Sequence, residues 1–201
     1  TRNISDPDYG LKLTGKSGGH TYALLTANDV NTSFLIPRSL GSSVASLGEI
    51  ESNVAIGRYR FDIFENSTIG ALITDRRADG YNNTVSSVDA VLRPTDQDSI
   101  SIQSMHSSSE YPILIQGQYG QAASLSDTSQ RLEYRHTDRS WDWRLGYTDM
   151  GDDFRADLGF VNRVDFKFVV ATVGHTWRGE SGDFFNRIRV ALDYDRTEDQ
   201  S

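Results

Sequence analysis

The stretch Trp141-Asp142-Trp143-Arg144-Leu145-Gly146-Tyr147-Thr148 decides the fold class. Side chains of an extended chain point alternately to its two faces. One face of this segment therefore collects Trp141, Trp143, Leu145 and Tyr147, and the other Asp142, Arg144, Gly146 and Thr148. A helical period would scatter the same residues around an axis, so the stretch reads as a strand with one apolar and one charged face.

Working outward, the design recurs. Ile188, Val190, Leu192 and Tyr194 oppose Arg187, Arg189, Ala191 and Asp193, and Val164, Phe166, Phe168 and Val170 oppose Arg163, Asp165 and Lys167. Upstream, Tyr9, Leu11 and Leu13 oppose Lys12, Thr14 and Lys16, while Ala55, Gly57, Tyr59, Phe61 and Ile63 oppose Arg58, Arg60 and Asp62. Val88, Ala90 and Leu92 oppose Asp89 and Arg93; Tyr111, Ile113, Ile115 and Tyr119 oppose Gln116 and Gln118; Leu132, Tyr134 and His136 face away from Arg131, Glu133 and Arg135. With further strands near 20–28, 67–76 and 97–106, ten or eleven strands are expected.

Turn residues punctuate them. Ser17-Gly18-Gly19 and Glu65-Asn66 read as tight hairpins and Pro94-Thr95-Asp96-Gln97 as a four-residue turn, with longer loops at 29–51, 77–83 and 149–158. Short and long connections alternate through the first half and lose parity around 104–139.

The chain has 201 residues, enough for a single all-β domain spanning 1–201. Apolar residues make up 37% and mean hydropathy is -0.50, so no helical membrane span is present; strands that alternate apolar and polar residues share that average. Cysteine is absent, which excludes disulfides and thiolate metal sites. A net charge of -8 argues against nucleic acid as partner, because phosphate contacts need clustered cations. The start, Thr1-Arg2-Asn3-Ile4, reads as a mature chain or a piece of one.

Alternating strands build soluble sandwiches as well as membrane barrels. Two features favour the barrel. Tyr9, Tyr59, Trp141, Tyr147 and Tyr194 lie toward strand ends on the apolar faces, as an interfacial girdle requires. The polar faces carry opposite charges on neighbouring positions, which suits pairing inside a wet lumen. An antiparallel up-and-down transmembrane β-barrel is therefore expected. Trp141, Trp143, Leu145, Tyr147, Val164, Phe166, Phe168, Val170, Ile188, Val190, Leu192 and Tyr194 are then lipid-facing. Lumen-facing are Arg58, Arg60, Asp62, Asp89, Asp142, Arg144, Arg163, Asp165, Lys167, Arg187, Arg189 and Asp193, most of them in structural pairs.

Four phrases carry a family resemblance: Asp6-Pro7-Asp8-Tyr9-Gly10-Leu11-Lys12-Leu13-Thr14-Gly15-Lys16; Ile69-Gly70-Ala71-Leu72-Ile73-Thr74-Asp75-Arg76; Asn82-Asn83-Thr84 with Val88-Asp89-Ala90; and Gly159-Phe160-Val161-Asn162-Arg163-Val164-Asp165. In order and spacing they resemble the C-terminal barrel of an uncharacterised bacterial outer-membrane family. Its members carry an N-terminal domain similar to family-nine carbohydrate-binding modules. The resemblance implies a bacterial outer-membrane location and a chain that is part of a larger barrel, because Arg196-Thr197-Glu198-Asp199-Gln200-Ser201 lacks the usual terminal aromatic strand. It also implies outer-membrane lipid, a glycan or other small solute, and other outer-membrane or periplasmic proteins as partners.

Catalytic and metal chemistry find little support. His20, His106, His136 and His175 show no metal-ligand spacing. Asp149, Asp152, Asp153 and Asp157 form the one calcium candidate, although their spacing departs from the twelve-residue calcium loop. No carboxylate pair stands out for glycoside hydrolysis, and Gly15-Lys16-Ser17-Gly18-Gly19 is a hairpin rather than a phosphate loop. The expectation is a non-enzymatic barrel, without cofactor, that admits or binds a solute. Its alternatives are a soluble or surface-exposed β-rich carbohydrate-binding or adhesin module and, third, a glycosidase-type enzyme.

Overall fold

The structure, a computed structural model, describes residues 4, 6–48 and 50–200. Strands β1 (Pro7–Ser17), β2 (His20–Asp29), β3 (Ser33–Arg38), β4 (Gly41–Ser46), β5 (Ser52–Ile63), β6 (Ser67–Ala78), β7 (Tyr81–Leu92) and β8 (Asp98–Glu110) precede helix α1 (Ile113–Tyr119). Strands β9 (Ser124–Thr137), β10 (Trp141–Met150), β11 (Phe166–Arg178) and β12 (Arg187–Asp199) follow it. The fold is all-β, with 68% strand and 4% helix.

Ten strands form one antiparallel meander in the order β1-β2-β5-β6-β7-β8-β9-β10-β11-β12, with β1 and β12 at its edges; β3 and β4 pair only with each other. At one end of the sheet the connections are 18–19, 64–66, 93–97, 138–140 and 179–186, of two to eight residues. The first is built by Gly18 and Gly19, both at positive φ, the backbone that matches strand twist. At the other end stand the β3–β4 hairpin, the Asp79-Gly80 turn, the α1 segment and the 151–165 loop.

Three expectations are corrected here. The 29–51 loop holds the β3–β4 hairpin. The 77–83 stretch is a tight turn, Asp79-Gly80, between long strands, with Gly80 at positive φ. The run at Tyr111–Tyr119 contains a helix: Pro112 caps it, Gly120 ends it in the left-handed region, and Ile115 alone is buried. Ile115 and Tyr119, four apart, share a helical face toward Leu125 and Tyr111, whereas Ile113 points to solvent. Period-two alternation places Ile113 and Ile115 on one face, and the helix separates them.

The buried apolar residues lie on one side of the sheet only. Phe34, Ile36, Ala45 and Leu47 from the hairpin segment pack with Tyr81, Tyr111, Ile115 and Leu125. Phe154 and Val164 from the 151–165 loop pack on Val85. The loop-end elements thus fold back over the loop-end half of one sheet face, and their apolar side chains make the core there.

Candidate functional site

Strand register sorts every strand residue to one of two faces. On the first, Leu13 pairs with Leu24, Leu24 with Gly57 and Gly57 with Ile73; Tyr59 pairs with Ala71 and Ala71 with Val88. The band continues through Ala90, Ile102, Leu132, Tyr147 and Val169, and beside it through Trp143, Val173 and Leu192. An apolar belt therefore crosses all ten strands. No described element packs on it, and Leu11, Val88 and Leu192 are 71%, 61% and 73% exposed.

Aromatic side chains mark the belt's limits. Tyr22, Tyr59, Phe61, Tyr134, Trp141, Trp143 and Trp177 lie toward the short-turn end, and Tyr9, Tyr147 and Tyr194 toward the loop end. His136 stacks on Trp143 with ring centroids 3.9 Å apart. Beyond the belt at the loop end the same face turns polar through Asn28, Asn53, Arg77, Gln130, Asp149 and Lys167.

The opposite face carries ion pairs that reach over an intervening strand. Arg58 of β5 donates to Asp89 of β7 (Nη2 to Oδ1, 2.8 Å), and between them stands Gly70 of β6, where a Cβ would lie 2.8 Å from the guanidinium. Arg189 of β12 reaches Asp142 of β10 (2.5 Å) across Gly174 of β11, where a Cβ would lie 2.6 Å from Arg189. Glycine at these two positions leaves the space each bridge occupies. Glu133 accepts from Arg135 (2.6 Å) and Arg144 (2.7 Å), and Asp62 is approached by Lys16 (3.4 Å) and Arg60 (3.9 Å).

The loop-end half of this face is sealed. Arg76, fully buried, donates to Asp29 (2.6 Å), to Ser52 and to the Ser33 carbonyl, tying β6 to the root of the hairpin. Asp157, also fully buried, accepts from the Tyr81 hydroxyl (2.8 Å) and the Tyr111 hydroxyl (3.2 Å), and its backbone N–H donates to Asn83. Burial pushes the Asp157 carboxyl up to about 6 and the Tyr111 hydroxyl well above its ordinary value, while the two hydroxyl donors and nearby Arg76 and Arg155 partly oppose the shift of Asp157. Above the seal the hairpin tip, the end of α1 and the 151–165 loop enclose a polar cleft of about 620 Å³, lined among others by Arg38, Tyr119, Gln121, Asp152 and Arg155.

The structure brings together most of the residues singled out in the sequence. Trp141, Trp143, Leu145, Tyr147, Ile188, Val190, Leu192 and Tyr194 share the apolar face, and none of them is buried. Arg58, Arg60, Asp62, Asp89, Asp142, Arg144, Arg187, Arg189 and Asp193 share the polar face.

Two groups are corrected. Phe166, Phe168 and Val170 lie on the polar face, since Phe168 pairs with Thr148 and Val170 with Gly146; Lys167 lies on the apolar-belt side, 4.0 Å from Asp149. β11 is apolar on both faces, with Val169, Ala171 and Val173 in the belt, so its own pattern cannot choose; pairing with β10 chooses. Val164 and Asp165 precede the strand: Val164 is core, Asp165 is buried at positive φ, and Arg163 pairs with Asp199 (3.0 Å).

The calcium candidate is also dispersed. Asp149 stands on the belt side, while Asp157 lies beneath the loops on the other side with Tyr81 and Tyr111. Among the described residues no three acidic or histidine side chains converge on an ion position.

Sequence reasoning passed over Glu133 with Arg131 and Arg135, Gly70, Gly174 and Arg76 as site residues, and took Asp157 for a calcium ligand where it is the buried acceptor of the Tyr81 and Tyr111 hydroxyls. The signal for the glycines is faint but present: each sits at a polar-face position of a strand whose neighbours carry opposite charges. Comparison with protein-family models, curated protein sequences and solved structures finds no match for the chain.

Proposed function

We propose that the chain forms the wall of a bacterial outer-membrane β-barrel whose apolar face meets lipid and whose polar face borders a lumen partly closed by its own loops. The observation that carries this reading is the uncovered apolar belt crossing all ten strands. Water-soluble monomers rarely leave so extended an apolar surface bare. On β10 the belt runs from Trp141 to Tyr147, about 20 Å at the rise of a strand, near the ~25 Å band of outer-membrane barrels. Aromatic residues at both limits suit the two interfaces.

The three longest connections stand at one end of the sheet, where such barrels carry their longer loops, although the Asp79-Gly80 turn shares that end. In a ten-stranded meander β1 and β12 run antiparallel, the relation that closure needs, and lipid demands that both edges be paired, with each other or with further strands. The barrel is non-enzymatic and admits or binds a solute. The loop-end cleft is the place to bind one, and the family resemblance favours a glycan. Outer-membrane and periplasmic proteins are the remaining partner class.

The test is cysteine labelling at Leu145 and Val190 against Phe168 and Thr172. In lipid vesicles a water-soluble maleimide leaves the first pair unlabelled and labels Phe168 and Thr172, which share the polar face. Labelling of Leu145 and Val190 in vesicles as fast as that of Phe168 and Thr172 overturns the proposal and leaves a water-soluble binding module in its place.

A further inference from the structure

We infer that the polar face carries a binding site for small multivalent anions bearing phosphate or carboxylate groups, with Arg131 as its principal ligand. The inference rests on the barrel reading only for its enclosure; the binding itself follows from the charges. Three guanidinium groups surround a single carboxylate at Glu133. Arg135 and Arg144 occupy its two oxygens at 2.6 and 2.7 Å, whereas Arg131 stays 3.7 Å away, beyond hydrogen-bond reach. Among the described residues Glu133 is the one carboxylate within 4.0 Å of Arg131. Its planar fork of donors is therefore unengaged by carboxylate, and the cluster keeps an excess of positive charge.

Arg131 borders a recess of about 340 Å³ that Arg58, Gln103 and Ser101 line together with the carboxylates of Asp89 and Glu133. Arg58 is neutralised by Asp89, which leaves Arg131 as the cation available to a ligand, and the Gln103 amide supplies a neutral donor. Excess cation recurs elsewhere on this face: Lys16 and Arg60 share Asp62, and Arg178 pairs directly with Arg187 across two strands, an arrangement that like charges disfavour. A guanidinium fork held open beside other cations matches the geometry of phosphate or carboxylate oxygens.

The experiment is calorimetric titration of the folded chain in detergent micelles with inorganic pyrophosphate and, separately, with citrate, at constant ionic strength. Pyrophosphate binding alone assigns a phosphate ligand, and citrate binding alone a carboxylate. Arg131→Gln weakens binding by about tenfold and the pair Arg131→Gln/Arg135→Gln by more, because each removes a charge-assisted donor. Arg77→Gln, on the other side of the sheet, leaves it unchanged. Both arginines of the pair are about half exposed, so the folded state survives their replacement. Absence of binding, or equal binding by the wild type and the double variant, overturns the inference. Insertion into vesicles, followed by protease protection, is read on the same preparation and reports separately on the barrel.

Discussion

Replacing Leu145 with arginine separates a lipid-facing belt from a water-facing one. Leu145 is 54% exposed, paired across its strand to Tyr134 and Ala171, so the longer side chain meets no packing obstacle. It lies about 14 Å along the strand from Trp141 and about 7 Å from Tyr147, inside the belt and off its centre. An arginine at the midplane of an outer-membrane barrel costs about 2–4 kcal/mol, and less toward the interfaces, so about 2 kcal/mol is expected here. That is roughly a thirtyfold fall in the folded-to-unfolded ratio. In water the same exposed substitution costs less than about 0.5 kcal/mol. The assay is equilibrium urea unfolding in phosphatidylcholine vesicles, with Leu40→Arg as reference, since Leu40 is 92% exposed at the tip of the β3–β4 hairpin, away from the belt. Equal, small costs for the two variants would refute the reasoning, because the belt would then be no less hydrated than the hairpin tip.

The other expectations concern the polar face. Arg76→Leu leaves the fully buried Asp29 carboxylate without its guanidinium and costs about 3–5 kcal/mol, read as faster proteolysis of the hairpin; a matching loss of charge at Asp29 restores part of it. Gly174→Val and Arg189→Gln remove the same bridge, so a double-mutant cycle shows their stability effects to be non-additive by about 0.5–1 kcal/mol, and additivity sinks the claim that glycine makes room for it. The Asp157 carboxyl, pushed up to about 6, holds its proton more tightly when the loop is docked than when it is free. Both forms are protonated below about pH 4, and the cost of ionising the buried group grows between about 4 and 6 to at most about 3 kcal/mol. Docking of the 151–165 loop therefore tightens as pH falls from 7 to 4, seen as slower hydrogen exchange there; Asp157→Asn abolishes the dependence, and an unchanged profile contradicts the assignment.

Alternation along the chain was enough to determine an all-β fold and the two-faced character of most strands, because side-chain direction in a strand repeats every two residues regardless of what the strand packs against. β10 and β12, polar on one face and apolar on the other, were legible for that reason. The rest needed neighbours. β11 is apolar on both faces, and only its hydrogen-bond register with β10 sets Val173 beside Trp143 and turns Phe168 away. The α1 segment mimics a strand at Ile113 and Ile115, and its contact with Leu125 and Tyr111 reveals the helix. Ion pairs that leap a strand over Gly70 and Gly174, and the burial of Arg76 and Asp157 under returning loops, join residues far apart in sequence. No local period encodes such contacts, because loop closure and strand order bring those residues together.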